Sequence, residues 1–170
     1  MKNSTDPFLI AALSLALVVG GCMLRGGSSQ EIAADLHNYS VELQKWEPKE
    51  KDIFQAIDDV EESRYVDDEF VARTLKGVLP TLDEHIREVA AYRPTTAELA
   101  SLHEHYRKGW EELRAGLDTM IAAEGKKDYI QLAKGKTQMN SGRSTLMRAF
   151  ASMDGLMQDN DEALKSMRKS

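Results

Sequence analysis

The chain has 170 residues, with 28 acids against 22 bases, four histidines, one cysteine and a formal charge of −6. That balance excludes the basic surface that nucleic-acid phosphates require, and one cysteine excludes an intrachain disulfide or a thiolate metal cluster. Hydrophobic residues make up 42% of the chain, enough for a core and too many for a disordered chain.

Phe8 to Val19 is a run of twelve uncharged, mostly apolar residues. It is shorter than the ~20 residues of a membrane-spanning helix but suits the apolar core of an export signal. Two glycines and the lone cysteine follow. Val19-Gly20-Gly21-Cys22 resembles the lipobox of bacterial lipoproteins: an aliphatic residue, two small residues, then the cysteine that becomes lipidated. The resemblance covers the first 22 residues. It implies cleavage between Gly21 and Cys22, so that residues 1–21 are a signal peptide. It also implies acyl chains on Cys22 that hold the protein on a membrane, each buried CH₂ contributing ~0.8 kcal/mol. The alternative is an ordinary secretory signal, or a short apolar anchor, with an incidental cysteine. Met23 follows the cysteine where many inner-membrane lipoproteins have Asp, and by that resemblance the expected location is the periplasmic face of the outer membrane.

Residues 22–30 read as a lipidated tether, with Gly26-Gly27-Ser28-Ser29 as flexible coil. Stretched, it reaches only ~20–25 Å, which keeps the folded part near the lipid. Helix A is expected from Ser29 to Glu62, on the stripe Ile32, Leu36, Tyr39, Leu43, Trp46, Ile53, Ile57 and Val60. Pro48 should kink or restart it. Ser63 to Val66 is a turn, with Asp67-Asp68-Glu69 at the start of helix B. Helix B follows Val71, Leu75, Leu79, Leu82, Ile86 and Val89, is interrupted by Pro80, and ends near Tyr92-Arg93 before Pro94. Thr95 and Glu98 read as the capping box of helix C, which runs to Glu124. Helix D runs from Asp128 to Gln158. The folded part therefore spans residues 31–158, and residues 159–170 read as a polar, frayed tail.

Helices C and D share a seven-residue repeat. In C it holds Leu99, Tyr106, Leu113 and Met120, with Gly109, Gly116 and Ala123 three positions on. In D it holds Leu132, Met139, Leu146 and Met153, with Gly135, Gly142 and Ala149. A hairpin folded at Gly125-Lys126 pairs Gly116 with Gly135 and Gly109 with Gly142. A glycine inside a helix costs about 1 kcal/mol relative to alanine. Close approach of the two backbones is the expected compensation, and tolerated surface glycines are the alternative. The fold class that follows is all-α, an antiparallel up-down four-helix bundle joined by short turns.

Bundles hold metals and haem, and the ligand patterns are missing here. The residues three before the histidines are Ala34, Leu82, Ala100 and Leu102, so there is no Glu-x-x-His pair. His103 and His105 point in nearly opposite directions on one helix. His37 and His105 read as solvated, His85 as bordering the core beside Ile86. Arg107-Lys108-Gly109-Trp110, Leu117-Asp118 and Ala123-Glu124-Gly125-Lys126 resemble the third helix of soluble b-type cytochrome bundles. That resemblance implies a haem held by a methionine on the first helix and a histidine on the last. Helix A has no methionine and helix D no histidine, with Met147 near the histidine's place. No cofactor, metal site or catalytic residue is therefore expected. Met153 and Met157 lie one turn apart, a spacing that could suit Cu(I), but Met120, Met139 and Met153 fall on the core stripe.

Charge is segregated. Glu31 to Glu69 holds 13 acids against Lys45, Lys49, Lys51 and Arg64, while Lys126 to Arg148 holds 6 bases against Asp128. Either the acidic helix lies beside the basic one, or both are solvated faces, or the acids form a docking surface for a basic partner or loosely held Ca²⁺. The expectation is a membrane-anchored, non-catalytic helical bundle that serves an envelope protein partner as scaffold or accessory subunit. The alternative is a periplasmic sensor that binds a small ligand or metal inside the bundle, with His85 or the methionines as ligands.

Overall fold

The computed structural model describes residues 26–62, 68–124 and 126–167. The apolar N-terminal run, Gly21, Cys22 and the turn expected over Ser63 to Val66 lie outside the described residues. The chain is all-α, with α1 (Ser29–Glu62), α2 (Asp68–Ala91), α3 (Ala97–Glu124), α4 (Tyr129–Asp159) and a short α5 (Asp161–Met167). No strand occurs among the described residues. The four long helices form an antiparallel bundle, and the α3–α4 hairpin is its most closely packed pair.

The helix starts are set by side-chain caps. At α1, the Ser28 amide and hydroxyl both donate to Glu31 Oε2 at 2.8 Å, and the Glu31 amide donates back to Ser28 Oγ at 3.4 Å. At α4, the Gln131 amide donates to Asp128 Oδ1 at 3.1 Å. α1 continues through Pro48 and α2 through Pro80, so neither helix restarts there. Both prolines are exposed, as are Gln44 and Lys76, whose carbonyls lose their partners. Those carbonyls can turn to water.

The core takes Ile53, Ile57, Leu75, Leu82, Leu99, Leu113 and Leu117 fully out of solvent. Burying one such side chain stabilises by about 1.5–3 kcal/mol. On α2 the buried line passes through Val78 and His85, one position earlier than Leu79 and Ile86, which pack beside it partly exposed. The expected stripe therefore holds at Leu75, Leu82 and Val89, and is displaced by one residue only at Leu79 and Ile86.

Three local expectations are corrected. The α3 start is capped from another helix: Asp35 Oδ2, on α1, accepts from the Thr95 amide, the Thr96 amide and the Thr96 hydroxyl, each at 2.8 Å. Glu98, released from that role, accepts from the Gly27 amide at 3.2 Å. Gly26 to Ser28 therefore rest against the α3 start instead of lying free. The tail at 161–167 is helical, because Asn160 caps α4 by donating from Nδ2 to the Leu156 carbonyl at 2.8 Å, and α5 packs on α1.

The segregated charges meet within the bundle. Arg143 on α4 reaches Asp58 at 2.5 Å and Glu61 at 3.0 Å on α1, and Lys136 lies 3.6 Å from Glu61. These pairs are partly exposed and each contributes less than ~1 kcal/mol.

Asp35 is 2% exposed, so removing its carboxylate strands three donors at a buried junction. Asp35→Ala is expected to lower the unfolding free energy by about 2–3 kcal/mol, and Asp35→Asn, which keeps one acceptor, by less. Urea midpoints of the three proteins measure the order.

Candidate functional site

The structure brings Gly109, Gly116, Gly135 and Gly142 together along the α3–α4 contact, all buried. A methyl on Gly116 would fall directly on the Met139 amide nitrogen and 2.8 Å from the Gly135 carbonyl oxygen. A methyl on Gly142 would lie 2.5 Å from the Leu113 amide nitrogen and 2.7 Å from the Gly109 carbonyl oxygen. On Gly135 it would meet Met120, and on Gly109 the Leu146 side chain at 2.7 Å. Backbone therefore touches backbone at two levels of the hairpin. Real Cβ atoms do not occupy such spaces, so these positions accept only glycine without separating the helices. Gly77 and Gly155 have nothing within 4 Å of the same added methyl.

Beside this seam the interior is unusually polar and aromatic. Tyr39 and Trp46 from α1, His85 from α2, and His103, Tyr106 and Trp110 from α3 are all buried. Their rings stand mostly edge to face, with His85 closest to Trp110 at 4.4 Å between centroids. Two hydrogen-bonded groups form within it. In the first, His103 Nε2 lies 3.0 Å from the Val89 carbonyl and Nδ1 lies 3.1 Å from the Tyr39 hydroxyl. A carbonyl can only accept, so Nε2 carries the proton and Nδ1 accepts from Tyr39. Burial holds the His103 pKa below the ordinary histidine range, against the raising effect of the Val89 carbonyl.

In the second, the Tyr106 hydroxyl donates to Glu50 Oε1, and His85 Nε2 lies 3.5 Å from the same oxygen. Burial pushes Glu50 up, while the Tyr106 hydrogen bond opposes the shift. Burial and then the Glu50 charge push the Tyr106 hydroxyl up as well. His85 is wholly buried and neither ring nitrogen has a hydrogen-bond partner. Burial, followed by the charge of Lys49, pushes its pKa down to about 4. Lys49 is itself held by Glu84 at 2.7 Å and Glu88 at 2.5 Å. A neutral imidazole thus faces a carboxyl group inside the bundle, an arrangement able to hold or pass one proton.

The other residues singled out from the sequence fall as follows. Cys22 and Gly21 lie outside the described residues. His37 and His105 are exposed, and Met120 and Met139 are core. Met147 is 72% exposed, so the position compared with a haem-ligating histidine faces away from the interior. No group of three or more His, Cys, Asp or Glu converges as a metal site among the described residues. No described helix is long and apolar enough to cross a membrane. Glu50, His103 and Asp35 escaped the sequence reading as interior residues. Glu50 had a signal: it occupies the one polar position of the α1 stripe, midway through the seven-residue step from Trp46 to Ile53.

Two outcomes follow. Gly116→Ala and Gly142→Ala are each expected to cost about 1–3 kcal/mol through overpacking. Gly77→Ala and Gly155→Ala should gain ~0.5–1 kcal/mol by helix propensity. Thermal melts of the four variants give the signs. For His85, the unfolded chain takes up the proton near pH 6.5 and the folded chain near pH 4. Acidification through that window favours unfolding by up to about 3 kcal/mol. Glu50 acts in the opposite sense, because the folded chain protonates it first. Between pH 6.5 and 4 the native chain should therefore lose about 3 kcal/mol more than His85→Leu in urea titrations.

No protein-family model, curated protein or solved structure matches this chain.

Proposed function

We propose that the protein is a lipid-anchored envelope lipoprotein. Its helical bundle docks an envelope protein partner without catalysing a reaction. The observation that carries the docking half is a set of large apolar side chains exposed at the start and middle of α4. This helix is fixed to α3 by the glycine seam, yet leaves Tyr129 70%, Ile130 82% and Met147 72% exposed. Large apolar side chains left in water on a firmly held helix suit recognition by a second protein. The anchoring half rests on the run from Phe8 to Val19 followed by Gly20-Gly21-Cys22. Acyl chains on Cys22 would keep the bundle within a short tether's reach of the lipid, at the periplasmic face of the outer membrane.

A second reading, a small ligand or metal held inside the bundle, is favoured by one observation. The two ring nitrogens of His85 are buried without partners, 3.5 Å from a carboxylate oxygen at the nearer one.

Two measurements test the first reading. Labelled palmitate should appear on the native protein and not on Cys22→Ser, which should no longer pellet with envelopes. A photo-crosslinking residue at Ile130 or Met147 should trap one discrete partner in cells, while the same residue at exposed Gln44 on α1 should trap none. Equal labelling of Cys22→Ser contradicts the anchor. Absence of adducts at both α4 positions contradicts the docking face. Zinc or haem that raises the melting temperature of native protein but not of His85→Leu would favour the second reading.

A further inference from the structure

The close packing of α3 and α4 leaves a furrow of about 390 Å³ lined by these two helices alone. At its base Glu112 Oε2 accepts from the Thr145 hydroxyl at 2.9 Å and the Ser141 hydroxyl at 3.4 Å. Lys108 Nζ stands 3.7 Å from the other carboxylate oxygen. The Glu112 charge is thus engaged by donors of the furrow wall. Thr145, only 5% exposed, also accepts from Arg148 Nη2 at 3.1 Å. A chain from Arg148 through Thr145 to Glu112 therefore fixes the guanidinium by one N–H and leaves its other donors for the furrow.

The other arginines of α3 and α4 are treated differently. Arg107 is bound by Glu104 and Glu111, Arg114 by Asp83 and Asp118, and Arg143 by Asp58 and Glu61. Arg148 rests on a hydroxyl, with no carboxylate in ion-pair range among the described residues. A planar guanidinium held by a hydroxyl instead of a carboxylate, in a furrow that the Lys108 ammonium also lines, suits a tetrahedral oxyanion.

We propose that this furrow binds a small phosphate-bearing anion. Arg148 supplies a two-pronged contact and Lys108 the second cation, while Glu112 and Thr145 act as positioning residues. A free phosphate and a phospholipid headgroup share this chemistry. The site is separate from the docking face on the outer side of α4 and does not depend on that reading.

The test is calorimetric titration of the purified full chain with inorganic phosphate and, separately, with glycerophosphoglycerol, the soluble phosphodiester headgroup. At least one should bind. Arg148→Gln and Lys108→Gln should each weaken that binding by about tenfold. Lys134→Gln, a cation of α4 outside the furrow lining, should leave it unchanged. Tighter binding of phosphate identifies a free anion as the ligand class, and tighter binding of the diester identifies the headgroup. The proposal is overturned if neither probe binds, if Arg148→Gln binds like the native chain, or if Lys134→Gln weakens binding as much as Arg148→Gln does. Circular dichroism of each variant establishes that the bundle is intact before it is titrated.

Discussion

The backbone contact between α3 and α4 is the constraint from which the rest of the bundle takes its form. Helices with ordinary side chains at their contact stand about 8–10 Å apart. Here Gly116 meets Gly135 and Met139, and Gly142 meets Gly109 and Leu113, with no side chain between the backbones. Four helix-interior glycines weaken the isolated helices by ~1 kcal/mol each. Packing contacts along the whole hairpin must offset that cost. The helices that result cannot slide past one another without driving a Cβ into a backbone, so the seam sets register as well as distance.

That register places the polar interior. With α4 drawn tightly onto α3, Tyr106 and Trp110 turn toward α1 and α2, where Trp46, Glu50 and His85 meet them. Buried polar groups are expensive unless paired. The Tyr39–His103–Val89 chain is paired at each step. His85 is not, and it stays neutral because charging it there would cost more than leaving it uncharged. The same tight hairpin leaves Tyr129, Ile130 and Met147 of α4 in water, and leaves a furrow in which Arg148 makes no ion pair with a carboxylate among the described residues. Asp35 closes the structure at the far end by capping α3 from α1.

Much of this was legible in the residues themselves. The helix boundaries followed from apolar period, prolines and caps, since those signals are local. The seam was legible because glycine and large residues recur every seven positions in both partners, and a shared period is a pairwise signal. The misses were nonlocal. Val78 and His85 joined Leu75, Leu82 and Val89 in the core in place of Leu79 and Ile86, because the side that faced α1 and α3 decided burial and apolar character alone does not. Asp35 replaced Thr95 and Glu98 as a cap from 60 residues away in sequence, which no local pattern encodes. The tail looked too polar to hold structure, yet α5 packs on α1, where Leu164 lines a small cavity with Leu36 and Met157. Arg148 could not be told from its neighbours by type, because what distinguishes it is a guanidinium that rests on the Thr145 hydroxyl instead of on an acid.

The most direct measurement of the seam is the nuclear Overhauser effect between glycine α-protons in the isotopically labelled protein. Cross-peaks should connect Gly116 with Gly135 and Gly109 with Gly142, since backbones in contact bring these protons within the ~5 Å over which the effect is seen, well inside ordinary interhelical spacing. Absence of both cross-peaks, with the helices otherwise formed, would mean that α3 and α4 stand apart and that the glycines play no part in joining them.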